Sequence, residues 1–446
     1  RIESPAFLKR LESAGARIDA GRHLAFFSND CLDRLLNLAP RRFIMCSRDG
    51  LNDIEVGRSR SHFGNGGRVV RILDLATEGY RETLLRDIAN TATLVQHLEH
   101  ISFYVIACQA HDVPPEHYHY NDFYHAFNHT TKHVMGGCDS VKGAQQLWDL
   151  ATLIAGDEAV FMQRPFASVI TNLTSPLTLD ANTLDVMQFC AEHFIPLTCA
   201  TAPIAGATAP ATLAGTLAQM HAEALAGVAI SQVMTPGARV LYGAFPIAMD
   251  LRTSEITVGS VEMGMMNASA VQLARLYHLP IYASGGVTEA KRPDIQAGFE
   301  KNFSDLTVAM GHGDIVHLTA GMVDSCNSIS YEQFVIDNES LGMIKRVLQG
   351  IRVNDDALAF DVIRDVGHGG NFLTHDHTLD HMKGEYFYPE LSVRCNYDAW
   401  KLQGEPDVMS QANKRVHQLL GHRQEGLLDT RLIMEIERAF PFIQNT

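Results

Sequence analysis

The sequence predicts an α/β fold: a (β/α)8 TIM-type barrel with an N-terminal mainly helical extension. Three observations lead there. From Ile101 onward, short apolar β-rich runs alternate with helical runs, recurring roughly every 30 to 45 residues, the length of one strand, loop and helix in a parallel α/β protein. The runs are nearly continuous in apolar character, as strands buried on both faces are. No GxGxxG follows a strand and no GxxxxGKS or GxxxxGKT occurs, so the competing open nucleotide-binding sheet lacks its phosphate loop.

Residues 1–100 are expected to form a helical cap, and residues 101–446 the barrel with a C-terminal helical decoration. SPAFLKRLESAGARID reads as a Ser-capped amphipathic helix with Phe7, Leu8 and Leu11 on one face and Gly15 as its stop. SNDCLDRLLNLAP repeats the pattern and ends at Pro40. FGNGG reads as a glycine-rich turn, and YRETLLRDIANTATLVQHLEH as a longer helix. The predicted strands are ISFYVIAC, HVMGGC, FASVITN, IPLTCATAP, RVLYGAFP, LPIYASGG and DIVHLTAGM. An eighth unit is expected between Asp361 and Leu373. The chain begins at Arg1 with no signal-like segment, and a trimmed native start is expected.

The 446 residues are 46% apolar and 20% charged, with a net charge of -15. This is the composition of a globular enzyme, and it lacks the basic excess of a nucleic-acid binder. No run is long enough for a membrane-spanning helix. The eight cysteines form no CxxC pair, which points to a reducing cytoplasmic location. Cys108, Cys138 and Cys199 fall in or at the end of predicted strands and read as small buried hydrophobes.

In such a barrel the chemistry collects where strands end. That rule selects His111, Cys138, Asn172, Thr201, Phe245, Ser284 with Gly285 and Gly286, and Gly321 with Met322. The loop from Ile204 to Pro210, with Gly206 and Thr208, leads into a small-residue helix that carries one charge, Glu223. Its backbone N–H groups would suit a carboxylate, although small residues serve close helix packing equally well. That helix is expected to be buried or to form a partner interface. Glu262 opens a helix and shares a long loop with Asp250, so both are candidates for a cationic ligand. Asp337 and Glu339 read as helix charges or structural hydrogen-bonding groups. Tyr118, Tyr120, Phe123, Tyr124 and Phe127 read first as core or rim and second as an aromatic cage. His368, His375, His377 and His381 crowd one segment, and His-x-His beside Asp376 is a chemically reasonable zinc or iron ligand set. Phe372 is the aromatic of that segment suited to a methylated cation.

Five segments go further. AGATAPATLAGTLAQMHAEALAG (205–227), GSVEMG (259–264), KRPDIQAGFEK (291–301), YEQFVIDNESLGM (331–343) and GHGGNFLTHDHT (367–378) resemble, in colinear order, the trimethylamine methyltransferase family. Specifically, they resemble its branch without pyrrolysine, which includes the glycine betaine type. The resemblance implies transfer of a methyl group from a quaternary amine to the Co(I) of a separate corrinoid protein. No cofactor would be tightly bound; cobalamin would arrive on the partner, since the chain lacks the D-x-H-x-x-G corrinoid ligand pattern. The histidine-rich segment would be pocket wall and carry no metal. Substrate contacts are expected from Phe372, His368, His377, Phe245, Glu262, Gly206 and Thr208, with no catalytic acid or base. The expected partners are the corrinoid protein and a small quaternary amine, without nucleic acid or membrane, in a possible homo-oligomer. Two other readings stay open: a metal-dependent barrel lyase or hydrolase using His375 and His377, and a non-catalytic betaine-binding protein.

Overall fold

The computed structural model describes residues 1–444 other than Ser59, Leu75, Glu78 and 422–425. Eight parallel strands close into a barrel: β1 His62–Asn65, β2 Phe103–Val105, β3 His133–Gly137, β4 Ala167–Leu173, β5 Leu197–Thr201, β6 Val240–Gly243, β7 Ile281–Ser284 and β8 Ile315–Ala320. Each strand pairs with the next in the chain, and β8 returns to β1 with Ile315 opposite His62 and Val316 opposite Phe63. The helices that follow the strands are α1 Leu85–His97, α2 Tyr118–His129, α3 Val141–Ala155, α4 Ala181–Glu192, α5 Leu213–Met234, α6 Val261–Leu276, α7 Ile295–Met310 and α8 Tyr331–Gln349. From α3 to α8 each opens on a side-chain cap: Ser140, Asp180, Thr212, Ser260, Asp294 and Ser330 all accept the amide three residues on. Such caps satisfy a donor the helix leaves free, so each strand-to-helix loop ends at a defined residue.

Two expectations are corrected. The first barrel strand is His62–Asn65, inside the supposed cap and overlapping the glycine-rich turn, so the boundary at residue 100 does not separate cap from barrel. The eighth unit does not lie between Asp361 and Leu373, where a short helix, Phe360–Val366, leads into irregular chain. The cause is packing. A Cβ on Gly64 would stand 2.1 Å from the Phe103 ring, so a glycine is required where an apolar strand residue would have announced itself.

The barrel interior holds Phe103, Val105, Met135, Leu241, Tyr282 and Ile315. A hairpin of Phe43–Met45 and Ile54–Val56 adds its apolar side chains to the same cluster. It closes the N-terminal end: His133 at the start of β3 bonds the Cys46 carbonyl through Nδ1 at 2.9 Å, and the Gly57 amide donates to Asp314 at 2.7 Å. The C-terminal end therefore remains for ligands. There, Arg71–Leu73 and Tyr80–Glu82 from the loop after β1 join Met322–Val323 and Ser328–Ser330 from the loop after β8 in a four-stranded sheet. No described helix is long and apolar enough to cross a membrane.

Helix α5 is buried as expected, against the barrel and under the N-terminal helices Pro5–Ser13 and Asn29–Leu36. Its single carboxylate, Glu223, accepts from Ser175 Oγ, the Leu177 amide, Gln219 and Thr201. On α2, Phe123, Tyr124 and Phe127 are core, whereas Tyr120 packs on Phe440 and Phe442.

The neighbouring Asp122 is buried, and among the described residues its Oδ1 has no hydrogen-bond partner. Burial pushes its carboxyl up to about 7, the Arg68 guanidinium opposing and Asp139 adding to the rise. A folded-state pKa above the unfolded one means that folding retains a proton, so stability falls as pH rises from about 4 to about 7. Asp122→Asn removes the titration. In denaturant melts its stability relative to the parent is expected to be roughly 3 kcal/mol more favourable at pH 8 than at pH 5. A difference independent of pH would contradict this.

Candidate active site

A cavity of about 460 Å³ opens at the C-terminal ends of the strands, within the size range of small-molecule sites. Its inner wall is aromatic. Tyr282 of β7 and His317 of β8 stack face to face, ring centres 3.9 Å apart and 21° from parallel. Phe245, just past β6, meets His317 edge-on at 5.7 Å. Val105, Ile170, Leu318 and Met322 continue the apolar lining.

A distortion in β8 places His317. The strand register shifts between Val316 and Ala320, and Leu318 takes a left-handed backbone, φ 68°. Such bulges re-aim side chains next to functional sites. His317 Nδ1 lies 2.9 Å from the Ala283 carbonyl, which can only accept, so Nδ1 carries the hydrogen. The Ser284 hydroxyl rests against the ring, 3.3 and 3.4 Å from its two nitrogens. Burial pushes the imidazole down to about 3, so it is neutral near pH 7.

The opposite side is polar. Arg68, in a left-handed backbone with φ 58°, directs Nη1 to the Gly137 carbonyl at 3.4 Å and to Asp139 at 3.1 Å. Asn172, Asn182, Thr171 and Thr183 also line the wall. Asp180 is committed to capping α4: burial pushes its carboxyl up, but the Thr183 amide and hydroxyl outweigh this and hold it below the ordinary range. Cys138 and Cys326 line the cavity as thiols, each pushed up to about 12 by burial.

Beneath the loops after β7 and β8, buried Lys301 donates to the Gly286 and Met322 carbonyls and pairs with Asp337 at 3.3 Å. Asp337 in turn accepts the Gly321 amide at 2.8 Å. Of the two roles expected for Asp337, the structural hydrogen-bonding one holds: it anchors the Met322 wall. Glu339 likewise accepts the amides of Glu390, Leu391 and Ser392.

Of the residues selected by strand position, Cys138, Asn172, Phe245 and Met322 line the cavity. Ser284 supports it through His317. His111 instead bonds the Thr83 carbonyl, and Thr201 bonds Glu223. The seven expected substrate contacts do not converge: only Phe245 is among the lining residues. Glu262 is exposed in the first turn of α6, and Asp250 is paired with Arg252 at 2.7 Å. Gly206 and Thr208 build the loop itself. The amides of Ala207, Thr208 and Ala209 all point to the Ile204 carbonyl, and the Gly206 amide to Ala209, so these donors are taken. The Thr208 hydroxyl accepts the Ile204 amide. His368, Phe372 and His377 lie on the C-terminal segment, with His368 and Phe372 exposed.

His317, Tyr282 and Arg68 were missed. The available signals were a histidine inside the apolar run DIVHLTAGM and a tyrosine inside LPIYASGG. Arg68 had no such signal, because the strand before it, His62–Asn65, was not recognised.

A profile of the trimethylamine methyltransferase (MTTB) family matches residues 1–441. The chain is 32% identical over 420 residues to the trimethylamine methyltransferase MttB of Desulfitobacterium hafniense, covering 94% of this chain and 84% of that one. It is 30% identical over 427 residues to a glycine betaine methyltransferase from another strain of that organism, covering 95% and 88%. Among solved structures, the monomethylamine methyltransferase of Methanosarcina barkeri shares the fold, with a TM-score of 0.54 at 13% identity over 93% of this chain and 87% of that one. Profile match, full-length relatives and closed barrel agree: the chain belongs to the trimethylamine methyltransferase family.

Proposed function

We propose that this protein moves a methyl group from a quaternary amine, glycine betaine or a related betaine, to the Co(I) of a separate corrinoid protein. The observation that carries the reading is the two-sided cavity. Tyr282, Phe245 and the neutral His317 form a face suited to a methylated cation, since ring faces attract cations and an uncharged imidazole does not repel them. Arg68 faces the same space and suits a carboxylate. A betaine carries both groups. The relatives' names include both trimethylamine and glycine betaine as substrates; Arg68 favours the zwitterion here.

The reduced cobalt of the partner would supply the nucleophile. A cavity of about 460 Å³ accommodates a small amine and not a macrocycle, so the corrinoid protein docks over the C-terminal end of the strands. The nitrogen leaves as a neutral tertiary amine and retains the bonding electron pair, so no general acid is required. The chain's task is to hold the N–methyl bond in line and to exclude water. Consistent with that task, the aromatic wall offers no proton at neutral pH. Eight free cysteines fit a reducing, cytoplasmic setting.

The test is to mix the protein with reduced cobalamin, free or on a corrinoid protein, and a panel of betaines and simple quaternary amines, following methylcobalamin by its absorbance. Methyl transfer from a betaine with release of the tertiary amine is expected. No transfer from any member, on either acceptor, would sink the reading. Phe245→Ala is expected to weaken binding of the active substrate by about 2- to 30-fold, the range of one cation-π contact. Phe372→Ala is expected to leave it unchanged, because Phe372 lies outside the cavity. Calorimetric titration of both variants checks the pair, and equal losses would return the histidine-rich segment to the substrate site.

A further inference from the structure

The segment from Ile351 to Met409 is poor in core. Its helices Asp355–Leu358, Phe360–Val366, Asp376–Glu385 and Tyr397–Leu402 have no buried side chains. Ile351, Leu373 and Leu402 stand mostly in solvent. Helices this short are marginal in water on their own. An apolar core does not hold them, so polar or covalent links must.

One such link has the chemistry of a metal site. His377 and His381 are one turn apart on helix Asp376–Glu385, with ring centres 4.1 Å apart. Residues four apart share a helix face. Facing them is Asp356 from helix Asp355–Leu358, with Oδ2 3.4 Å from His381 Nε2. One ligand atom from each of the three lies within 4.8 Å of the others. In a tetrahedral zinc site with bonds of roughly 2.0–2.1 Å, ligand atoms stand about 3.4 Å apart. The His381–Asp356 edge already has that length, and modest side-chain rotation closes the others. His377 Nε2 is held in place by the Asp356 carbonyl at 3.2 Å.

We propose that Asp356, His377 and His381 bind a divalent cation of the zinc class, and that this ion staples helix Asp376–Glu385 to helix Asp355–Leu358. Two imidazoles and one carboxylate suit zinc, cobalt or nickel and not magnesium or calcium. A metal bond between two elements that share no core supplies folding free energy that small segments otherwise lack. The ligand pair differs from the His-x-His pair of the sequence. His375 turns away to cap its helix, accepting the His377 amide at 3.1 Å and facing Asp365 at 3.5 Å. None of the three ligands lines the barrel cavity, so the site is structural.

The test uses the whole 446-residue chain stripped with a chelator. Zinc is titrated in competition with a chromophoric chelator, and cobalt by its visible absorption. One equivalent of saturable binding is expected, with a tetrahedral nitrogen–oxygen cobalt spectrum. Loss of even an outer partner of a metal ligand costs about 10- to 100-fold in affinity, so His377→Ala and His381→Ala are each expected to weaken binding at least about tenfold. Asp356→Asn, which keeps the side-chain shape, provides a variant with minimal disturbance of the fold, and circular dichroism checks all three. Zinc is also expected to slow proteolysis between residues 351 and 409 in the parent and not in the variants. No saturable equivalent, or equal uptake by parent and variants, would overturn the site. Binding that leaves proteolysis unchanged would overturn the staple.

Discussion

Replacing Arg68 with glutamine is expected to raise the KM for a betaine by about 10- to 150-fold, the equivalent of one charge-assisted hydrogen bond of roughly 1.5–3 kcal/mol. Turnover of a simple quaternary amine without a carboxylate should be unchanged. The asymmetry follows from where Arg68 sits. Its partner Asp139 is largely exposed, and an ion pair with one partner in water is worth little, so an incoming carboxylate can take the guanidinium at small cost. The aromatic wall, formed by β7, β8 and the end of β6, does not depend on Arg68. Kinetics on a matched pair, a betaine and its analogue lacking the carboxylate, would check this. An equal loss for both substrates would mean that Arg68 shapes the loop after β1 and does not read the carboxylate.

Acid is expected to unfold the protein cooperatively above pH 4. Burial holds His62, His119, His125 and His133 down at about 4, and His317 at about 3. Each folded pKa lies below the unfolded value near 6.5. The folded chain therefore keeps these rings neutral while the unfolded chain protonates them. Their contribution is fully present above pH 6.5 and is lost as pH falls toward 4. One ring lowered from 6.5 to about 4 corresponds to at most roughly 3 kcal/mol, and a domain of ordinary stability has only about 5–15 kcal/mol in total. Two or three such rings suffice, which places the midpoint near pH 5. Burial also raises the carboxyls of Asp122, Glu289, Asp305, Asp314 and Asp337, which work in the opposite direction. It lowers the imidazoles of His100, His129 and His221 as well, so eight rings stand against five carboxyls and the balance favours loss of stability in acid. Near-ultraviolet circular dichroism against pH reads the transition. Native signal retained to pH 4 would contradict the argument.

Much of the architecture was legible without coordinates. Seven of the eight strands announce themselves as apolar runs, because a strand buried on both faces must be apolar along its length. The cap of helix Pro5–Ser13 is legible for a similar reason: Ser4 accepts the Phe7 amide three residues on. Residues 62–65 were not legible. Their strand is four residues long, begins with histidine, and needs Gly64 to admit Phe103, so its apolar signal is erased by a contact made 39 positions away.

The site divides along the same line. Sequence by itself determined the alternation of strands and helices, the end of the barrel where the cavity opens, the family, and Phe245 as a wall residue. All of these rest on local pattern or on colinear motifs. Tertiary structure alone decided that Arg68, Tyr282 and His317, from the loop after β1 and from β7 and β8, share one cavity. It also decided that the amides of the Ile204–Pro210 loop are already used, and that the histidine-rich segment stands outside the cavity. The physical reason is that closing the barrel brings β8 beside β1, and two extra residues in β8 between Val316 and Ala320 turn His317 and Leu318 inward. Neither event leaves a mark on the residues nearby in the chain.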